Sequence, residues 1–191
     1  MEKKIFVAML VAVMAFANSN LVFSQDEKPA GPSDNVTLNI KLNSIQTLII
    51  EKDQKTVDLV YTNREDYATG VFVKKENHLT IYSTGGYEIS AQTSGEMFNG
   101  LTTTTSNGPG VGTVTITPEK GTINPAGGYF YTRSLSKSPQ ILATNTKGGV
   151  DAKISVTYTG AGKQEYLDFY IKESATPVVY TTQVTYTIVS K

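Results

Sequence analysis

A two-residue period constrains this chain more than any other feature. The C-terminal stretch VVYTTQVTYTIVSK puts Val178, Tyr180, Thr182, Val184, Tyr186 and Ile188 on one side of an extended backbone. Val179, Thr181, Gln183, Thr185, Thr187 and Val189 fall on the other side. A helix would scatter both sets around its axis, whereas a strand keeps each on one face. The same alternation recurs in VTLNIKL (Val36 to Leu42), TVDLVYT (Thr56 to Thr62) and AKISVTYT (Ala152 to Thr159). In VTLNIKL it predicts a half-buried strand with Val36, Leu38, Ile40 and Leu42 together. In TVDLVYT it turns Val57, Leu59 and Tyr61 inward.

Other runs extend the pattern. IQTLII (Ile45 to Ile50) is apolar enough to be buried on both faces. VGTVTIT (Val111 to Thr117) reads as a strand stopped by Pro118, and PQILAT as a short strand opened by Pro139. His78 to Thr84 and Tyr87 to Thr93 alternate on either side of Gly85-Gly86, which predicts a β-hairpin, since glycine supplies the positive φ of tight turns. Asn99 to Gly110 is low in complexity and reads as an exposed loop. Helical turns are expected only in NREDYATG (Asn63 to Gly70) and in the long connection from Gly160 to Pro177. Short strands between turn signals predict an all-β fold, an Ig-like or Greek-key β-sandwich.

The N-terminus follows a different rule. Lys3 and Lys4 precede an uncharged apolar run from Ile5 to Ala17, and small residues lead to Gln25. This is the pattern of a secretory signal peptide, and the run is too short to span a membrane. The expected organisation is a signal peptide over 1–24, a flexible leader over 25–35, and one β-sandwich domain over 36–191. No membrane span is expected after cleavage. The 167 residues from Gln25 onward are enough for a proper core without staples, and the chain contains no Cys. With Glu2, Lys3 and Lys4 set aside, 15 basic and 16 acidic residues remain, interspersed. That balance argues against a nucleic-acid or polybasic membrane role.

Residues suited to catalysis are sparse. Nucleophilic catalysis needs an activated side chain and a base, and His78 is the single histidine. No Gly-x-Ser-x-Gly elbow occurs, and His78 reads as a surface or strand-edge residue. Zinc would need several His or Cys ligands. Calcium needs only oxygens, but Glu51, Asp53, Glu65 and Asp66 are flanked by cations and no Asp-x-Asp-x-Asp-Gly loop occurs. Neither an enzyme nor a cofactor or metal site is expected. Many of the 11 tyrosines lie on the apolar phase of their strands and read as core. GGYFYTR differs: Tyr129, Phe130 and Tyr131 are consecutive, with Arg133 nearby, so they form a candidate ligand patch. The alternative is an edge strand with alternate rings buried. LVYTNREDYATG and VTYTGAGKQEYLDFY also echo each other, each ending a strand in Tyr-Thr before a loop with another tyrosine, Tyr67 or Tyr166. The Asn35-Val36-Thr37 sequon is incidental in a chain that reads as bacterial.

The signal peptide, VTLNIKL, IYSTGGYEIS and the terminal YTTQVTYTIVSK together resemble small secreted β-domains of Gram-negative bacteria, grouped with fimbrial (pilin-like) and spore-coat-like subunits. The resemblance covers most of the mature chain in pattern. In the chaperone–usher family, a subunit lacking one strand is completed by a neighbour's N-terminal extension. The resemblance therefore implies Val36, Leu38, Ile40 and Leu42 as donor-strand residues, and Val184, Tyr186 and Ile188 as the border of the acceptor groove. The pilin disulfide is absent here, and Tyr186 stands five residues from the end. Two readings of the last strand stay open: it completes a self-contained sandwich, or it borders a groove that another chain fills. The expected function is that of a secreted, periplasmic or cell-surface structural or adhesive protein. Its partners would be itself, as a homopolymer, or other surface proteins. The alternative is a monomeric module binding an extracellular glycan or protein through Tyr129, Phe130, Tyr131 and Arg133.

Overall fold

The computed structural model describes residues 31–100, 108–170 and 178–191. The expected signal peptide and most of the leader lie outside the described residues, as do the middle of the Thr-rich loop and residues 171–177. The chain divides into two units between Lys41 and Leu42. In the first, residues 31–41 carry no helix or strand and are exposed throughout. This corrects the expectation of a half-buried strand over Val36 to Leu42: Val36 is 92% exposed, Leu38 84%, Ile40 79% and Leu42 88%. Alternation creates an apolar face but does not supply the surface that buries it.

The second unit is an antiparallel β-sandwich, as the alternation predicts. Its strands are β1 (Gln46–Ile50), β2 (Phe72–Ser83), β3 (Tyr87–Thr93), β4 (Asn99–Gly100), β5 (Val114–Lys120), β6 (Gly128–Phe130), β7 (Arg133–Ser134), β8 (Gln140–Asn145), β9 (Gly149–Gly160), β10 (Tyr180–Thr181) and β11 (Val184–Ser190). One sheet runs β1-β2-β9-β5-β7 and the other β11-β3-β8-β6, while β10 pairs with β4 apart from both. The core lies between the two main sheets. Leu79, Ile81, Ile116, Ile154 and Val156 meet Ile89, Ala91 and Leu142, all within a few per cent of full burial.

Gly85-Gly86 does not make a hairpin. β2 and β3 belong to opposite sheets, so the chain crosses from one layer to the other. A two-residue hairpin turn needs positive φ, and neither glycine has it. Ser83 Oγ instead donates to Gly85 O at 2.8 Å, and Lys191 N donates to Gly86 O at 3.0 Å. Leu79, Ile81 and Ser83 before the crossing, and Tyr87, Ile89, Ala91 and Thr93 after it, then line the same interior from opposite sides.

Several boundaries differ from the sequence expectation. Thr56 to Thr62 forms no ladder, although Val57, Leu59 and Tyr61 are half-buried and alternate with exposed Asp58 and Val60. β1 is half-buried rather than doubly buried, with Ile49 55% exposed, because the second sheet covers only one of its faces. Val111–Thr113 forms a 3-10 turn, and Pro118 lies inside β5 instead of ending it. Val114 O accepts from Leu135 N, so alternate residues of β5, Pro118 among them, turn their backbone polar groups toward the β7 side. β7 pairs only Thr115 and Ile116, so no ladder bond is lost at the proline. Gly108 and Pro109, expected in an exposed loop, are buried. The C-terminal run breaks between Thr181 and Val184, and the longest strands are β2 and β9, with 12 residues each.

The helical turn in NREDYATG is present as α1 (Arg64–Thr69). Asn63 Oδ1 accepts from Asp66 N at 3.1 Å, and Asp66 Oδ2 accepts from Asn63 N at 3.0 Å, closing a capping box. Asn63→Ala should cost about 1 kcal/mol in a urea titration. The second expected helical turn is a 3-10 turn over Leu167–Phe169.

Candidate functional site

The candidate assembly edge is built from β11 upward. Val184, Tyr186 and Ile188 are half-buried and pack against the core, and Thr185, Thr187 and Val189 face out. On one side β11 pairs with β3 from Val184↔Thr93 to Ser190↔Tyr87. Lys191 N and Gln183 O both bond toward the β3 side. Backbone polar groups alternate in direction along a strand, so those of Val184, Tyr186 and Ile188 point away from β3. Among the described residues β11 has no strand on that outer side. β1, the edge of the other sheet, lies beside it. These are the two long edges of the sandwich, since β6 and β7 have only three and two residues. The structure thus places Val184, Tyr186 and Ile188 together on an edge. Val36, Leu38, Ile40 and Leu42 are solvent-exposed.

A buried polar relay ties β11 to the opposite sheet. The Tyr186 and Tyr158 hydroxyls are 2.6 Å apart, Tyr158 Oη lies 2.9 Å from His78 Nε2, and His78 Nδ1 lies 3.0 Å from Gln54 Oε1. Gln54 Nε2 donates to Glu76 O, so its Oε1 is the end that faces the imidazole. His78 therefore carries its proton on Nδ1. Nε2 accepts from Tyr158, and Tyr158 in turn accepts from Tyr186. Burial lowers the His78 pKa to about 4, with nearby Lys75 adding to the effect. Burial also raises Tyr158 to about 12 and pushes Tyr186 well above its ordinary value. All three groups are neutral at physiological pH, as a buried relay requires.

His78 is 2% exposed, which corrects its reading as a surface or strand-edge residue. A β-bulge between Lys75 and Leu79 is the cause. Asn77 adopts φ 52°, its N–H donates to Ser155 Oγ, and its Oδ1 accepts from Thr122 N. Three residues of β2, Glu76 to His78, stand opposite Ser155 alone, and these two extra residues leave the phase of the strand unchanged. Val73 and Lys75 before them and Leu79, Ile81 and Ser83 after them face the same way, while His78, inside the bulge, is buried next to Leu79.

The candidate patch in GGYFYTR follows the edge-strand reading. β6 is an edge strand, Phe130 packs toward the core, and Tyr129 (62% exposed) and Tyr131 (37%) point outward. The Arg133 guanidinium sits 5.3 Å from the Tyr131 ring centroid, in cation–π range. The cavity beside Phe130 holds about 10 Å³, roughly a single water's worth of space. Among the described residues, no group of three or more His, Cys, Asp or Glu gathers.

The relay members Gln54 and Tyr158 were not legible as a group, because residues 24 and 80 positions from His78 meet only after folding. No protein-family model and no curated protein matches the chain.

Proposed function

We propose that this is a secreted or cell-surface structural protein of the fimbrial-subunit type, which assembles with copies of itself by strand addition. The observation that carries the reading is the undefended pair of long edges. QTLII of β1 and VTYTIVS of β11 contain neither a charge nor a proline. Such edges invite pairing with another chain unless something covers them. Val36 to Leu42 of a second copy is a suitable occupant. It is apolar at every second position, and its apolar side chains are almost wholly exposed. Added beside β11, it would bond to the outward groups of Val184, Tyr186 and Ile188, and Val36, Leu38, Ile40 and Leu42 would lose their exposure to water.

The test is to shear producing cells and run the surface fraction on a denaturing gel, heated and unheated. Wild type should give a ladder that collapses on heating. Leu38→Asp should abolish the ladder and leave the unfolding midpoint of the purified monomer within about 0.5 kcal/mol of wild type, because Leu38 buries nothing in the single chain. A lone monomer band from wild type under both conditions would rule the reading out.

A further inference from the structure

The two echoing loops meet. Tyr61 ends the extended segment before α1, and its ring centroid lies 5.2 Å from Tyr67 and 5.1 Å from Tyr166, the latter edge-on. The Tyr61 hydroxyl donates to Ala161 O at 2.7 Å, and the Tyr166 hydroxyl donates to Thr113 Oγ1 at 2.8 Å. Backbone bonds from Lys163 N to Ala68 O and from Gln164 N to Tyr67 O lock the loops together. Lys163 (φ 54°) and Gln164 (φ 62°) are both left-handed, a conformation that non-glycine residues adopt only when their surroundings hold them there.

This junction encloses a depression of about 460 Å³ lined by Thr62, Asn63, Arg64, Tyr67, Gln164 and Leu167. That is ample for a small ligand. Its lining combines a half-buried aromatic ring, an exposed aliphatic side chain and three planar polar groups. The Thr62 hydroxyl and the Asn63 carbonyl are committed to Asp66, and the Asn63 amide N–H groups have no partner among the described residues. Arg64 and Gln164 have no side-chain partner among the described residues. A ring that can stack, one amide held by its carbonyl, a second amide without a partner among the described residues and a guanidinium likewise without one match the face, the hydroxyls and the carboxylate of an acidic sugar.

We propose that this depression is a binding site for a hexuronate unit of an extracellular saccharide. The pyranose face rests on Tyr67 and Leu167, hydroxyls bond to the amides of Asn63 and Gln164, and the carboxylate pairs with Arg64. The site lies apart from the ring patch at Tyr129 and Tyr131 and uses no residue of the assembly edge. It goes beyond the assembly reading and is tested on the monomer, so either can fail alone.

The probe is trigalacturonate, with neutral maltotriose as comparison, titrated into ¹⁵N-labelled protein carrying Leu38→Asp. Trigalacturonate should shift the Arg64 Nε–H and Gln164 side-chain amide signals, and maltotriose should bind far more weakly. Arg64→Gln, an exposed change, should weaken trigalacturonate about tenfold, the scale of one charge-assisted pair, and leave maltotriose unchanged. Gln164→Ala should weaken both. The proposal is overturned if trigalacturonate shifts neither signal. Equal affinity for the two saccharides, or shifts confined to Tyr129 and Tyr131, would overturn it as well.

Discussion

Gly70→Ala should destabilise the protein by about 3 kcal/mol or more, the sum of backbone strain and overpacking. Gly70 links α1 to β2 with φ 86° and ψ 169°, a region that a side chain with a Cβ scarcely enters. Its N–H closes the helix by donating to Asp66 O at 2.8 Å. A Cβ built there would run into Gly160 O, and would stand 3.0 Å from Gly162 N and 3.2 Å from Ala161 C. All three are backbone atoms, at the end of β9 and in the loop that follows it, and cannot swing aside as a side-chain tip would. Gly85→Ala is the control. Gly85 also sits in a connection between strands, but nothing lies within 4 Å of its would-be Cβ and its φ is not left-handed. That substitution should stay within about 0.5 kcal/mol. Urea midpoints at a common slope decide the matter. A Gly70→Ala loss no larger than that of Gly85→Ala would show that the loop yields.

Those two glycines mark where sequence reading succeeds and where it stops. Period-two runs located β3, β9 and β11 because strands, once formed, must sort their side chains by face. The same runs could not say which strand pairs with which. Gly85-Gly86 reads as a hairpin because that pair of residues permits positive φ. The fold declines the option: Tyr87 and Ile89 face the core that Leu79 and Ile81 line from the opposite sheet, instead of lying beside them in one sheet. Val36 to Leu42 has as regular a pattern as β11, yet β11 finds a core to rest on within the described chain and Val36 to Leu42 does not. Pattern reports a face; burial depends on what meets it. The bulge at Asn77 was hidden for a related reason. Two extra residues keep the alternation on either side in phase and disturb it only inside the bulge, where a nominal surface histidine becomes a core one. The echo between the Tyr67 and Tyr166 loops was visible, and what it lacked was a reason for the loops to meet. Tyr61 supplies that reason.

The buried histidine gives the other large expected effect. As pH falls from 6.5 to 4, the protein should lose about 3 kcal/mol of stability from His78 alone, converted from the shift at roughly 1.4 kcal/mol per pH unit. The folded protein holds His78 at about 4, below the ordinary value of 6.5. Between those values the unfolded chain binds a proton that the folded chain refuses, so stability rises with pH through the window and is complete above it. Protonation is refused for two reasons. The imidazole is buried beneath Tyr158 and Tyr186, whose rings lie edge-on at 5.7 Å and 5.9 Å. A second N–H on Nε2 would also confront a hydroxyl that is already donating to it, so the hydroxyl order would have to reverse through Tyr158 to Tyr186. Because the chain has a single histidine, ¹³C-labelling that residue type gives one titrating signal. Its midpoint should fall near 4, and urea unfolding across pH 4 to 6.5 should show the matching slope, lost in His78→Gln. Exposed Asp66 and Glu76 add their own dependence with the same sign, but at lower pH. Their carboxylates are held below the usual range by hydrogen bonds, from Thr62 foremost in one case and from Lys74 foremost in the other. A midpoint near 6.5 with flat stability would mean that His78 is hydrated. Tyr158 and Tyr186 would then not be locked in a dry relay, and β11 would be held to the opposite sheet by apolar packing alone.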